Sequence, residues 1–541
     1  MLAAENDAIP GGKVGGIGDV IRDLPPALAL EGVETSVLLP AYGRFHEESG
    51  GRCLRAFSVP FGGRLERVEL YELEALSSGG VRQYVLHHPL FATGGDGRIY
   101  CDDPPGRPFA RDATKFALFS IAALAALREG HLGELDVLHL HDWHAALAAV
   151  LIAFDPEFGA LGRLRTVYGI HNLALQGVRP LSGDPSSLGA WYPRLHYRLE
   201  ALVDPRWPDC INPMAAGIRL CERVHTVSPT YAREILRSND PERGFHGGEG
   251  LEKDLAAVAA DGRLAGIVNG IDYPEAVRAA AGGGAGGADA ARPLGAAPAL
   301  APEEARDEAS WTALVDALGD GLLGTLGSAG TLAAADYLAH RRLLAWRAER
   351  RPAHLLTAVG RLTAQKVALL LHRRPDGRLT LDTLLERLAG RGALVVLGTG
   401  DAALEASCQR LAARHPHFCF LRRYSNRLSE LLFAAGDLFL MPSSFEPCGI
   451  SQMLAMRAGQ PPLVHAVGGL ADTVEDGADG FAFRGHSLDA QSEALLARLE
   501  EALALREREP RRWQDIVRTA RSRRFRWRES ARRYIDELYT T

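Results

Sequence analysis

Val14-Gly15-Gly16-Ile17-Gly18-Asp19-Val20, near the start of the chain, returns in altered form as Val467-Gly468-Gly469-Leu470-Ala471-Asp472-Thr473 far downstream. Each copy reads as a paired-glycine turn leading into a helix. Without Cβ atoms, such a turn brings backbone N–H groups close to an anion, and the helix dipole adds partial positive charge at the same place. A Gly-Gly turn alone is common in α/β proteins. One copy in each half, with Lys13 beside the first, predicts two similar α/β domains serving a phosphate-bearing ligand.

The segments around the first copy alternate short apolar runs with helical patterns. Glu34 to Pro40, Val81 to Leu86, Val137 to Leu140 and Arg165 to Ile170 read as strands, and Thr114 to Leu127 has helical periodicity. Strand, helix, strand at this spacing implies a mostly parallel sheet. Polar clusters stand at the strand ends, His141-Asp142-Trp143-His144 and His171-Asn172, where such sheets bind ligands. Ala279 to Pro302 is dominated by Ala, Gly and Pro and reads as a linker. Helical pattern resumes from Trp311 to Arg347. A second α/β half begins at His354, with strands at Ala393 to Leu397 and Leu438 to Pro442. The tail from Phe525 to Tyr539 reads as an amphipathic helix with Ala531, Tyr534, Ile535 and Leu538 on one face.

The 541 residues leave room for two to four domains. With 24% charged and 47% hydrophobic residues and a net charge of −6, the chain reads as an ordinary globular protein with no nucleic-acid partner. No apolar run reaches the roughly 18 residues of a membrane span, and Met1 to Asp7 has no signal-peptide character. Seven scattered cysteines without a C-x-x-C pair fit reduced thiols in a cytoplasm.

Two clusters in the second half point to phosphate and sugar chemistry. Gly360-Arg361-Leu362-Thr363-Ala364-Gln365-Lys366 follows a strand, and its two cations suit a diphosphate, a planar fork and a point charge gripping different oxygens. Pro442-Ser443-Ser444-Phe445-Glu446-Pro447-Cys448-Gly449-Ile450-Ser451-Gln452 also follows a strand. It sets the Glu446 carboxylate beside a helix start at Ile450, so that the helix end takes phosphate while the carboxylate meets sugar hydroxyls. The His139 to His144 run lacks the ligand order of metallohydrolases and a second ligand cluster, so no metal is expected. Gly398-Thr399-Gly400-Asp401-Ala402-Ala403 matches a dinucleotide fingerprint, yet the following strand runs into Arg422-Arg423 instead of an acidic residue. A nucleotide-sugar transferase and an NADP-dependent oxidoreductase remain the competing classes.

Taken together, the motifs resemble the bacterial glycogen synthase and plant starch synthase family of glycosyltransferases. The resemblance rests on Lys13 to Val20, His141-Asp142-Trp143-His144-Ala145, His171-Asn172-Leu173-Ala174-Leu175-Gln176-Gly177, Val227 to Ala232, Gly266 to Asp272, Gly360 to Lys366, Phe445 to Gly449 and Gly468 to Val474, in the family's order. It implies a GT-B fold, two Rossmann-like domains with a cleft between them. It also implies retaining transfer of glucose from ADP-glucose to the non-reducing end of an α-1,4-glucan, with no cofactor. On matching positions, Lys13, Arg361 and Lys366 are implied to bind the donor phosphates. Gly15, Gly16 and Asp19 in the first loop, and Cys448, Gly449, Ile450 and Ser451 at the second helix start, are implied to line the donor. Asp142, His171 and Glu446 are implied to contact the transferred glucose, Asn172 the sugar or acceptor, and Tyr424 the adenine. The implied organisation is an N-terminal Rossmann-like domain over 1–275, a linker and helical insertion over 276–350, a C-terminal nucleotide-sugar domain over 351–520 and a C-terminal helix over 521–541 packing back on the first domain.

The chain departs from the family at Val14, where Thr or Ser is usual, in a first strand reduced to Met1 to Ala4, and over 273–351 and 367–384. A glucan-binding or nucleotide-sugar-binding regulatory homologue is therefore the alternative to an active synthase.

Overall fold

The computed structural model describes residues 1–273, 308–329, 334–423 and 425–540, which group into two compact units. The first comprises Met1–Asn239, Gly247–Gly270 and Arg526–Thr541; the second comprises Asp240–His246 and Ile271–Phe525. The Ala/Gly/Pro-rich stretch over 279–302 lies outside the described residues.

The first unit is built on one sheet. Its strands are β1 (Thr35–Pro40), β2 (Arg52–Phe61), β3 (Arg64–Glu72), β4 (Val81–His87), β5 (Val137–His141), β6 (Arg165–Ile170), β7 (Arg223–Thr226) and β8 (Leu264–Gly266). One run has the order β1-β4-β3-β2 and the other β8-β7-β6-β5. Leu2 joins them, bridging Leu38 of β1 and Leu140 of β5 in parallel. Its N–H donates to the His139 carbonyl at 2.8 Å and its own carbonyl accepts from His141 N–H at 3.1 Å. The short opening segment thus supplies a one-bridge central strand. The antiparallel β2–β3 hairpin was not anticipated from the sequence; its exposed, charge-rich strands lack the apolar runs that mark the buried parallel ones.

Counting the Leu2 segment as first, the parallel strands stand in the order β4, β1, Leu2, β5, β6, β7, the 3-2-1-4-5-6 arrangement of a doubly wound fold. Helix α1 (Gly16–Ala29) begins at the first Gly-Gly turn, with Asp19 in its first turn facing the positive helix end. Helix α2 (Ala110–Arg128) is buried around nearly its whole circumference, with the Asp112–Lys115 ion pair inside, and helix α3 (Asp142–Phe154) is buried over its first ten residues. The C-terminal helix Trp527–Tyr534 and the turn Ile535–Tyr539 after it pack Trp527, Ala531, Tyr534 and Leu538 against Val20, Leu24 and Leu28 of α1 and Val167 of β6.

The second unit repeats the topology with six parallel strands: β9 (His354–Val359), β10 (Gly392–Leu397), β11 (Phe418–Leu421), β12 (Leu438–Met441), β13 (Pro462–His465) and β14 (Phe481–Phe483). Their order is β11-β10-β9-β12-β13-β14, again 3-2-1-4-5-6. Helices α4 (Glu308–Ala329) and α5 (Ala334–Arg347), set apart in the sequence as an insertion, belong to this unit. Trp311, Leu318, Leu343 and Trp346 join one core with Leu355, Val395 and Leu421 of the sheet.

The two glycine pairs that suggested a repeat are not topological equivalents. Gly15-Gly16 follows the first strand of its sheet, whereas Gly468-Gly469 follows β13, the fifth. The position in the second unit that corresponds to Gly15-Gly16 is the Gly360–Lys366 loop after β9.

Candidate active site

In a doubly wound sheet, ligands bind beyond the carboxyl ends of the two strands flanking the point where strand order reverses, because the loops there diverge to opposite faces and leave a crevice. In the first unit those strands are the Leu2 segment and β5. In the second they are β9 and β12. The segments leaving them carry Lys13 to Gly16, Asp142, Arg361 to Lys366 and Glu446.

In the first unit, β5 ends in Asp142, whose backbone is left-handed at φ +53°, a conformation uncommon outside glycine. The turn brings its carboxylate to the end of β6, where Oδ1 accepts the His171 N–H at 2.7 Å. Burial raises the Asp142 pKa to about 8, against the opposing pull of the His171 and Asn172 N–H groups. Burial lowers that of His171 to about 4, so its ring is neutral at pH 7. Asn172 Oδ1 accepts from Ala174 N–H at 2.9 Å, and Gln176 Nε2 donates to the Leu173 carbonyl at 3.0 Å. Gly177 closes this loop at φ +67°, and a Cβ there would fall within the buried Trp143 ring. Gly177→Ala is therefore expected to lower unfolding stability by about 2–4 kcal/mol through overpacking and an unfavourable φ, read as a fall in melting temperature.

The glycine loop has a partner that sequence reading missed. Val14 and Gly15 N–H groups both donate to Glu5 Oε2, at 2.8 and 2.5 Å, and the Tyr100 hydroxyl donates to Glu5 Oε1 at 2.7 Å. Glu5 is 2% exposed. Gly15 thus gives its N–H to the protein's own carboxylate. Gly16 stands open, since a Cβ there would meet no atom of the described residues within 4 Å. Lys13 Nζ lies 2.6 Å from Asp19 Oδ1 and 3.6 Å from Asp7 Oδ2. No local signal marks Glu5, because its role exists only once the Leu2 segment enters the sheet.

In the second unit, the loops after β9, β12 and β13 are stitched together. Ser444 N–H donates to the Gln365 carbonyl at 2.8 Å, Gln365 Nε2 donates to the Phe445 carbonyl at 3.0 Å, and Gly469 N–H donates to the Glu446 carbonyl at 2.9 Å. Lys366 Nζ pairs with Glu446 Oε2. Arg361 is exposed and makes no ion pair among the described residues. Cys448 is buried, and Gly469 has no room for a Cβ because the Cys448 carbonyl occupies that place. Gly449, at φ +78°, turns the chain through Ile450 into the helix Ser451–Arg457. Tyr424 lies outside the described residues.

The dinucleotide fingerprint has a structural explanation. Cβ atoms at Gly398 and Gly400 would collide with the Gly360 and Leu362 carbonyls, so these glycines let the loop after β10 lie against the loop after β9. Glu405 Oε1 already accepts from the Thr399 hydroxyl at 2.6 Å and Gly400 N–H at 2.8 Å. The loop's donors serve the protein itself, which removes the basis for the oxidoreductase alternative. Among the described residues, no group of three or more His, Cys, Asp or Glu side chains is placed to hold a metal ion, and no helix is long and apolar enough to cross a membrane.

Comparison with known proteins agrees with this geometry. The family model described as starch synthase catalytic domain matches residues 1–257, and that described as glycosyl transferases group 1 matches residues 353–516. The chain is 35% identical to the glycogen synthase of Anaeromyxobacter dehalogenans over 551 residues, covering 100% of this chain and 99% of that one. It is 31% identical to the glycogen synthase of Desulfitobacterium hafniense over 552 residues, covering 99% and 98%. The catalytic domain of starch synthase IV from Arabidopsis thaliana, solved with ADP and acarbose bound, superposes with a TM-score of 0.74 at 27% identity, covering 100% of this chain and 98% of that one. Two doubly wound units, with cations and carboxylates at both strand-order reversals, thus accompany full-length likeness to these enzymes: the chain belongs to the glycogen and starch synthase family of GT-B hexosyltransferases.

Proposed function

We propose that the protein transfers glucose from ADP-glucose to the non-reducing end of an α-1,4-glucan, with retention of configuration. The observation that carries this reading is the meeting of Lys366, Glu446 and the Gly468-Gly469 turn at the strand-order reversal of the second unit, with Arg361 in the same loop as Lys366. Breaking the anomeric bond leaves negative charge on the departing diphosphate and positive character on the sugar. Fixed cations and N–H donors aimed at that diphosphate lower the barrier. In this reading Arg361 and Lys366 take the phosphates, and Glu446 exchanges its lysine partner for glucose hydroxyls. Cys448, Gly449, Ile450 and Ser451 line the donor, and Tyr424 stacks on its adenine.

The first unit supplies the acceptor side. Asp142 and His171 meet the glucose, Asn172 the sugar or acceptor, and Lys13, Gly15, Gly16 and Asp19 border the phosphates. Glu5 must yield the Gly15 N–H, or else leave phosphate contact to Gly16 and Lys13. The free thiols fit a reducing cytoplasm. Incubating the purified chain with glycogen and either ADP-glucose or UDP-glucose tests the proposal. ADP release that depends on glycogen, with lengthening of the glucan, is the expected result. Tight donor or glucan binding without turnover would establish the regulatory alternative instead.

A further inference from the structure

Behind His171 lies a buried row of histidines to which the proposed reaction gives no role. His141 Nδ1 is 3.0 Å from His171 Nε2, and the His139 ring stacks on that of His141 with centroids 4.1 Å apart. His139 Nε2 is 2.8 Å from His225 Nε2, and its Nδ1 is 2.9 Å from the Tyr539 hydroxyl. Tyr534 closes the row, meeting the His225 ring edge-on at 4.9 Å. Burial, reinforced for His139, His141 and His225 by neighbouring rings, pushes all four histidine pKa values down, so the rings are neutral at pH 7.

Two neutral imidazoles in hydrogen-bond contact have one proton between them, so one nitrogen donates and the other accepts. The far side of His141 decides which. Its Nε2 is buried and has no hydrogen-bond partner among the described residues. Were His171 the donor, His141 would carry its own proton on Nε2 and bury an N–H with no acceptor. With His141 as donor, the unpartnered atom is only a lone pair. Orphaned buried N–H groups are rare in proteins, and under-satisfied acceptors less so.

We infer that His141 donates its Nδ1–H to His171 Nε2 and so holds His171 in the tautomer that carries its proton on Nδ1. His171 Nδ1 has no protein partner among the described residues. Set in this way, it is a hydrogen-bond donor, suited to a sugar hydroxyl or phosphate oxygen. In the other tautomer it would present a lone pair. His141 is thus a positioning residue, with the His139 ring packed behind it. Its catalytic consequence rests on the proposed contact between His171 and substrate; the tautomer does not.

Nitrogen NMR of the full chain carrying 15N-histidine tests the inference, with the His171 signals assigned by their loss in His171→Ala. The expected result is a pyrrole-type shift at His171 Nδ1 and a pyridine-type shift at Nε2. His141→Phe keeps an aromatic ring but removes the donor. It should release the tautomer and lower kcat by about ten- to a hundredfold, with a smaller change in KM for ADP-glucose. His141→Asn, which keeps an N–H near the Nδ1 position, should recover most of the loss. A wild-type spectrum with the proton on Nε2, or a folded His141→Phe enzyme with unchanged kcat, overturns the inference. If His141→Phe does not fold, the wild-type spectrum and the asparagine variant decide. An Nδ1 proton in the wild type together with full activity in His171→Ala would uphold the tautomer and refute the substrate contact.

Discussion

Replacing Arg361 and Lys366 together with alanine is expected to abolish measurable glucose transfer while leaving the fold intact. One preorganised donor at a developing anion is typically worth about 3–4 kcal/mol, or roughly a hundred- to a thousandfold in rate, and here two cations are removed. Arg361 is exposed and makes no ion pair among the described residues, so its loss leaves no buried partner behind. Lys366 differs, because its ammonium pairs with Glu446, which is buried. Lys366→Ala alone leaves that buried carboxylate without its partner cation. The single variant should therefore lose turnover through both a missing phosphate contact and an altered Glu446, and Lys366→Arg should not restore it, since a planar fork does not replace a point charge. Steady-state rates with ADP-glucose and glycogen, beside melting curves of the same preparations, give the answer. Near-normal turnover in a folded double variant would remove the phosphate role from both residues.

The first unit is expected to unfold on mild acidification. His139, His141, His144, His171 and His225 are all buried, and desolvation is the leading cause of their lowered pKa values, to about 4 for His171 and about 3 for His144 and His225. The unfolded chain binds protons at these rings near pH 6.5, where the folded unit does not, so stability falls as pH drops through 6.5. Each such ring costs about 1.4 kcal/mol per pH unit until its folded pKa is reached. Asp142 acts in the opposite sense. Its folded pKa of about 8 means that between the unfolded value and pH 8 the folded unit holds a proton the unfolded chain has lost, which stabilises the fold as pH falls. Tyr539, which also faces the row, stays neutral throughout this range, because burial raises its pKa well above the ordinary value. These six groups give a net uptake of roughly four protons, or about 5 kcal/mol per pH unit, and the Met1 ammonium, His46 and His88, all lowered by burial, add to it, against a typical total stability of about 5–15 kcal/mol. Loss of structure by about pH 5, with proton uptake of that size, is the expected result from circular dichroism and indicator titration. A first unit that stays folded at pH 4.5 without taking up protons would show that the rings are not held dry.

Strand identity in both halves was legible because interior strands of a parallel sheet are continuous apolar runs. Val137 to Leu140 and Ala393 to Leu397 reveal themselves in this way, and the polar residues following them mark the carboxyl ends. The β2–β3 hairpin was not legible, since its solvent-facing strands are charged and lie at the sheet edge. The glycine repeat led to the right architecture by an inexact route, as the two pairs follow different strands of their sheets. The fingerprint glycines Gly398 and Gly400 misled for a related reason. A glycine signals that something approaches the backbone closely, and whether that is a phosphate or a neighbouring carbonyl depends on which loop lies opposite.

By itself the sequence determined the doubly wound class of both halves, the strand ends that bear the cations and carboxylates, and the family, because each of these is written in local periodicity and short ordered motifs. Only the tertiary structure decided that Glu5 takes the Val14 and Gly15 N–H groups, that Lys366 meets Glu446, and that His141 backs His171. These partners lie nine to eighty residues apart in the chain, and no local pattern encodes them. They become neighbours when parallel strands align their carboxyl ends, and burial then makes each proton, tautomer and ion pair depend on what stands beside it.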